Sequence, residues 1–117
     1  MGIKKAFPLP LIVKHIDGRM WELVEPFEYH SAKYGVIKAQ PPFKFDFASI
    51  PKWCWSIIGS PTGRYGPAAL IHDWLCAKKI YPRKKTDRIF LEAMKDCKVA
   101  YLKRILMYLA VRVSSYF

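Results

Sequence analysis

Apolar and polar residues alternate with a period of two in the first third of the chain, which predicts β-strands. Residues 10–28 contain two β-rich segments, LIVKHI and RMWELV, on either side of the dipeptide Asp17-Gly18. An Asp-Gly pair tolerates the positive φ angles of a tight turn, so these segments are expected to form a hairpin. A further strand is predicted at residues 34–39. Residues 41–47 are expected to be extended, because phenylalanines alternate with polar residues there.

From residue 48 onward the period changes to that of a helix, with proline or glycine at the predicted ends. The expected helices are residues 51–58, a helix from Pro67 to about Lys79, a helix from Pro82, and a final helix from about Val99. The sequence shows no internal repeat and no linker-like stretch. We therefore predict a single α+β domain over residues 1–117. Residues 1–47 should form an N-terminal antiparallel hairpin or small sheet, and residues 48–117 should form three to four packed helices.

Two polar side chains lie on the apolar stripes of predicted helices. The residues three and four positions from His72 are Ala68, Ala69, Leu75 and Cys76. Asp87 is followed at the same spacing by Phe90 and Leu91, so both polar side chains should point inward. A buried carboxylate without a partner is very costly, and helices joined by a short connection pack side by side and antiparallel. We therefore expect a hydrogen bond between Asp87 and His72.

This pair has the chemistry of half a hydrolytic site. A carboxylate bonded to one imidazole nitrogen selects the tautomer and leaves the other nitrogen as a base, so we interpret His72 as a candidate general base and Asp87 as its orienting carboxylate. Asp46 and Asp73 add two carboxylates of the kind that Ca²⁺ or Mg²⁺ takes as ligands. A buried His–Asp pair between helices can equally be structural, and the residue pattern alone leaves both interpretations open.

The charge of the chain favours an anionic partner. The 117 residues carry 20 Lys and Arg against 9 Asp and Glu, for a net charge of +11. Basic residues cluster in KKIYPRKK (78–85), and Arg88 extends the cluster. Nucleic acid, an anionic phospholipid surface and an acidic protein surface all fit such a charge. No recognised nucleic-acid-binding motif is present, so the nucleic-acid interpretation depends on charge alone.

The cysteines and the apolar segments indicate the cellular compartment in which the protein is expected to reside. Cys54, Cys76 and Cys97 form neither a CxxC pair nor a zinc-like cluster, and their odd number predicts reduced thiols in a cytoplasm. Prolines interrupt the apolar run near the N-terminus, so we predict no signal peptide. The apolar C-terminal segment carries three basic residues. It is too charged for a transmembrane helix, although contact with a membrane surface stays open.

Several of these motifs occur together in one known group of proteins. The stretch DFASIP…PTGRYGPAALIHDWL…TDRIFLEAM, with LMYLAVR after it, resembles an uncharacterised family of small proteins common in phages and prophages. The similarity covers most of the chain. The resemblance implies a phage-encoded protein that resides in the host cytoplasm or is associated with the virion.

A second resemblance concerns the order of the polar motifs. Asp-x-x-Ser-x-Pro, then His-Asp, then Asp-x-x-Phe is similar to the pattern of bacterial and fungal phospholipases A2. The resemblance implies that His72 is the general base and that Asp87 orients it. It also implies a calcium ion held by Asp46, Asp73 and the carbonyl of Phe47.

Three classes of function follow from these observations. The first is a phospholipase A2-like hydrolase that cleaves esters with the help of a metal ion. The second is a non-catalytic phage protein, either a virion component or a protein that binds an acidic host factor, in which the His–Asp pair is structural. The third is a nucleic-acid-binding protein that uses the basic residues of 78–88.

Overall fold

A computed structural model of the chain describes residues 6–18, 20–46 and 65–114. Within these residues the elements are β1 (Val13–Asp17), β2 (Met20–Leu23), β3 (Phe27–Ser31), β4 (Gly35–Ala39), β5 (Phe43–Phe45), α1 (Gly66–Lys78), α2 (Arg83–Asp96) and α3 (Tyr101–Ser114). Small antiparallel sheets precede helices, which confirms the predicted α+β class. The helix predicted at residues 51–58 lies outside the described residues.

The first sheet is built on the predicted hairpin. Strands β1 and β2 pair antiparallel around the Asp17-Gly18 turn, where Gly18 has a φ angle of +52°. His15 stabilises this turn, because its Nε2 atom lies 2.7 Å from the carbonyl oxygen of Gly18. Strand β5 pairs antiparallel with β2 and completes the order β1-β2-β5. Alternation along β5 buries Phe43 and Phe45, as the sequence pattern predicts.

The second sheet contains a strand that the sequence pattern does not predict. Strand β3 pairs antiparallel with β4, whose first residue, Gly35, has a φ angle of +85°. Its buried positions are Phe27, Tyr29 and Ser31, and the last of these is polar. The pattern of apolar residues therefore stops before the strand does. An inward-facing serine is favourable here because its hydroxyl donates to Glu92 on α2 and accepts from the backbone N–H groups of Lys33 and Tyr34.

Backbone geometry ends the first two helices and sets their direction. Helix α1 stops at Lys79, which has a left-handed φ angle of 53°. Helix α2 ends in a Schellman motif, in which Lys98 has a φ angle of 62° and Val99 N–H donates to Met94 O at 3.0 Å. The backbone of Ala68, near the start of α1, lies close enough to the Cys97 thiol at the end of α2 to lower its pKa. Because the opposite ends meet, the two helices run antiparallel, as predicted.

Packing between the sheets and the helices positions the polar residues of α1 and α2. The Trp74 ring meets the Phe43 ring edge to face at a centroid distance of 5.1 Å, which holds β5 against α1. The Tyr29 hydroxyl donates to Glu92 at 2.6 Å, which joins β3 to α2. The inner faces of α1 and α2 therefore lie in the hydrophobic core.

Candidate functional site: a buried His–Asp–Arg cluster

The predicted hydrogen bond between the two helices is present. His72 Nε2 lies 2.6 Å from Asp87 Oδ1, and both side chains are completely buried. The local periodicity of α1 and α2 explains this, because each residue lies among apolar neighbours that form the core. The structure thus confirms the pairing of His72 with Asp87.

Two arginines also bind Asp87, and the sequence pattern did not reveal them. Arg83 Nε donates to Oδ1 at 2.9 Å, and Arg112 Nη1 donates to Oδ2 at 2.8 Å. Arg83 also donates through Nη2 to the carbonyl oxygen of Val111 at 3.0 Å. The four-residue spacing of Arg83 and Asp87 on one helix is a signal that could have been used. The contact from Arg112 on α3 has no such local signal.

The cluster keeps Asp87 ionised. Burial by itself raises the pKa of Asp87, but the hydrogen bonds from His72 and Arg83, together with that from Arg112, outweigh burial and hold the pKa of this carboxyl below its usual value. An ionised carboxylate only accepts hydrogen bonds, so His72 donates through Nε2–H. The tautomer that results leaves the lone pair on Nδ1.

The same surroundings keep His72 neutral. Burial lowers the pKa of His72, and the positive charge of Arg83 lowers it further, so that the opposing influence of Asp87 is outweighed. The Phe90 ring lies against the imidazole at a centroid distance of 4.8 Å. Cys76 Sγ is 4.0 Å from Nδ1 and 3.9 Å from Nε2, and such similar distances show that the sulfur does not point along the Nδ1 lone pair. His72 is therefore a neutral base in an apolar pocket.

The residues predicted to hold calcium are partly outside the described region. Asp73 is buried on α1 next to His72, and Asp46 is half-buried directly after β5. The Phe43–Trp74 contact places the strand that precedes Asp46 against the helix that carries Asp73. Phe47 lies outside the described residues.

The described carboxylates do not by themselves fit a calcium ion. Ca²⁺ takes about six to eight oxygen ligands, and the predicted set supplies two described carboxylates. Among the residues that the structure describes, no group of three or more His, Cys, Asp or Glu side chains could hold a metal ion. Calcium binding by Asp46, Phe47 and Asp73 therefore stays a prediction.

The basic segment 78–88 is divided between two environments. Arg83 turns inward to Asp87, whereas the Lys85 ammonium lies 4.0 Å from the centre of the Tyr81 ring. The segment is therefore not a uniform exposed basic face. In the described part of the chain, no helix has both the length and the hydropathy that crossing a bilayer requires.

Comparison with known proteins identifies two similar sequences in Sinorhizobium fredii (strain NBRC 101917 / NGR234). "Uncharacterized protein y4jT" is 42% identical over 69 residues, which is 58% of this chain and 20% of that protein. "Uncharacterized protein y4iH" is 38% identical over 69 residues, which is 58% of this chain and 29% of that protein. The similar region thus spans less than a third of either relative. No solved structure shows a significant match to the chain.

A family model covers most of the fold described above. The model for "Protein of unknown function (DUF1353)" matches residues 21–111, from β2 almost to the end of α3. The matched region includes His72, Asp87 and Arg83, and it ends one residue before Arg112. The chain therefore belongs to DUF1353, a family of proteins of unknown function, which confirms the expected membership of an uncharacterised family.

Proposed function

We propose that this protein is a small ester hydrolase in which His72 acts as the general base. The observation that carries the proposal is the buried 2.6 Å contact between His72 Nε2 and Asp87 Oδ1. This contact selects the tautomer in which the second ring nitrogen, Nδ1, accepts a proton. Lipid esters are the proposed substrates, because of the phospholipase-like motif order and the net charge of +11, which favours anionic lipid.

The chemistry assigned to the site is proton transfer during attack by water. His72 Nδ1 would take a proton from a water molecule as the water oxygen attacks the ester carbonyl carbon. The imidazolium would then donate that proton to the alcohol oxygen as the ester bond breaks. The products are an alcohol and a carboxylic acid, which loses its proton to the solvent. General base catalysis of this kind contributes about 10²–10⁴-fold to a rate.

The residues around His72 have opposing effects on this proton transfer. Asp87 stabilises the imidazolium, because its carboxylate lies 2.6 Å from Nε2. Arg83 and Arg112 hold the carboxylate in place, but their positive charges disfavour a second positive charge on the ring. Both arginines are therefore positioning residues. Their effect on the base is indirect and acts through Asp87.

Access is the main requirement that this mechanism places on the molecule. His72 is completely buried, so a substrate can reach Nδ1 only after residues that cover the imidazole move. A phage origin and a calcium ion bound by Asp46, Phe47 and Asp73 belong to the same proposal. They are supported by the motif order DFASIP, IHDWL and TDRIF.

Hydrolysis of phosphatidylglycerol vesicles tests the proposal. We expect the wild-type protein to release fatty acid and His72→Asn to lower the rate by about 10²-fold or more.

Asp87→Asn should lower the rate of hydrolysis. It should also lower the free energy of unfolding by about 1.5–3 kcal/mol, because a buried charge-assisted bond is lost. Asp73→Asn should raise the calcium concentration that the reaction needs. His30→Asn is the matched control, because His30 is exposed on β3 and bonds to Glu28.

A structural role for the cluster is the second candidate, and complete burial favours it. Asp87 already accepts bonds from His72, Arg83 and Arg112, which joins the three described helices. In that case the protein is a non-catalytic phage protein, either a virion component or a binder of a host factor. Variants of His72, Asp73 and Asp87 would then lower the melting temperature, and fatty-acid release by the wild type would equal the background rate with calcium and with chelator.

A further inference from the structure

The solvent-exposed side of α3 carries a continuous apolar stripe. Its members are spaced by four, three and four residues, so they lie one above another on a single helical face. Their exposed fractions are large for apolar side chains: Leu102 74%, Leu106 47%, Leu109 52% and Val113 56%. These four residues are called the outer stripe. Single exposed leucines are ordinary on a protein surface, but an aligned row of them indicates a contact surface.

Helix α3 is apolar on two faces. Met107, Ala110 and Val111 are buried against the rest of the protein, on a face about 120° around the helix from the outer stripe. A surface helix normally places polar residues opposite its core face, and a helix that is apolar all round is normally buried on all sides. The core satisfies one face of α3. The outer stripe therefore needs an apolar environment of its own.

A basic groove lies beside the outer stripe. It has a volume of about 390 Å³, and its cationic lining residues are Lys33, Arg88, Lys95 and Arg104. Tyr101 and Ile105 of α3 also line it, so the groove and the helix form one continuous surface. Glu92 is the acidic residue of the lining, and its Oε1 atom accepts hydrogen bonds from Tyr29 and Ser31. Much of its charge is therefore directed inward, and the groove is strongly positive.

We propose that the outer stripe and the basic groove together dock onto the surface of an anionic phospholipid bilayer. The apolar row would enter the boundary between head groups and acyl chains, and the cations of the groove would bind lipid phosphates. Helix α3 has 14 residues, or about 21 Å at 1.5 Å per residue, so it would lie in the plane of the membrane. This docking surface is independent of the proposed hydrolysis.

Charge complementarity selects a lipid surface over a second copy of the chain. Helix α3 contains no acidic residue, and its basic residues besides Arg112, which is paired with Asp87, are Lys103 and Arg104. Two copies packed through their outer stripes would bring these charges together, and each copy carries a net charge of +11. Like charges without counter-charges oppose such a dimer. An anionic bilayer provides apolar contacts for the outer stripe and negative charge for the basic residues at the same time.

Sedimentation with ether-linked vesicles tests the docking surface without any contribution from ester hydrolysis. We expect the full-length wild type to bind dialkyl phosphatidylglycerol vesicles and to bind dialkyl phosphatidylcholine vesicles at least about tenfold more weakly. Leu106→Ser with Leu109→Ser should weaken binding to phosphatidylglycerol by about tenfold or more, because two apolar side chains are lost. The matched control is Val36→Ser with Ile80→Ser, which removes two equally exposed apolar residues elsewhere, at 54% and 50%.

A second pair of variants separates the groove from net charge. Arg88→Gln with Lys95→Gln should weaken binding several-fold, whereas Lys14→Gln with Lys44→Gln should have a much smaller effect. Both pairs remove two positive charges, but only the first pair lines the groove. Circular dichroism and the melting temperature would show that each variant is folded.

Three outcomes would overturn the proposal. The first is a wild type that does not sediment with phosphatidylglycerol vesicles. The second is equal binding by the Leu106/Leu109 variant and the Val36/Ile80 variant. The third is a wild-type dimer in sedimentation velocity that the Leu106/Leu109 substitutions convert to a monomer, without vesicle binding. That last result would assign the outer stripe to a second copy of the chain.

Discussion

Asp87 determines the protonation of the buried cluster. Its two oxygens accept hydrogen bonds from His72, Arg83 and Arg112, each of them shorter than 3 Å. The carboxylate thereby lies between one neutral ring and two permanent cations. Protonating the ring would place a third positive charge around a single negative one. At this scale the site is a neutral base held by an ion-paired carboxylate. The stability of the protein should therefore depend on pH.

The stability of the protein should fall as the pH is lowered below about 6.5, the usual pKa of histidine. The pKa of His72 is lowered in the folded protein, because burial disfavours the charged ring. The unfolded chain therefore binds a proton at a pH at which folded His72 does not. One such proton lowers the free energy of unfolding by about 1.4 kcal/mol per pH unit. The stabilising contribution is complete above the pKa of the unfolded state and is lost progressively below it.

Urea unfolding between about pH 8 and about pH 5 measures this dependence. His72→Gln should reduce the slope, because the titrating group is removed. Asp87 contributes in the same direction at lower pH, since its pKa is also lowered in the folded state. A wild type and a His72→Gln variant with equal slopes would contradict this account of the buried imidazole.

At the scale of elements, α3 links the buried cluster to the surface. Arg112 on this helix reaches Asp87, while the outer stripe of the same helix faces solvent. Helices α1 and α2 contribute His72 and Asp87, and the residues that end these helices have left-handed backbone angles. The position of the cluster thus depends on where each helix stops. The cap of α1 can be tested by substitution.

Lys79→Gly should raise the free energy of unfolding by up to about 1 kcal/mol. Lys79 ends α1 with a φ angle of 53°, which is strained for a residue with a Cβ atom and unstrained for glycine. The greater freedom of glycine in the unfolded chain offsets part of this gain. Lys79→Ala is the control, because it removes the same side chain and keeps the strain. Thermal unfolding should place the glycine variant above the alanine variant, and the reverse order would contradict the interpretation of the cap.

At the scale of the whole molecule, hydrophobic packing holds the described part of the chain together. The buried apolar residues form one cluster that includes both sheets and all three described helices. Cys76 and Cys97 are reduced thiols, and Cys54 lies outside the described residues. Burial raises the pKa of the Cys97 thiol to about 12, so it should react slowly in the folded protein. The stability of the fold should therefore not depend on redox conditions.

A reducing agent should leave the melting temperature unchanged. Mass spectrometry after alkylation of the unfolded, non-reduced protein should show modification of Cys54, Cys76 and Cys97. In the folded protein, Cys97 should be modified more slowly than Cys76, which is only partly buried. An intramolecular disulfide in protein purified from a cytoplasm, or a melting temperature that falls on reduction, would contradict this prediction.

Local patterns explain why part of the fold and of the site could be predicted. The Asp17-Gly18 turn, the helix starts near Pro67 and Pro82, and the inward direction of His72 each depend on residues close in the sequence. Strand β3 was not predicted because its polar residue Ser31 is buried against a distant glutamate. The sequence signal of a strand is weakest where a long-range hydrogen bond replaces an apolar contact.

The sequence by itself determined the α+β class, the antiparallel pair of helices and the meeting of His72 with Asp87, because helical periodicity and a short connection leave few alternatives. Only the tertiary structure decided that Arg112, 25 residues from Asp87, completes the cluster. It also decided which apolar face of α3 is buried. The sequence offers two such faces, and a helix can turn only one of them toward a given core, so packing against α2 leaves the outer stripe exposed.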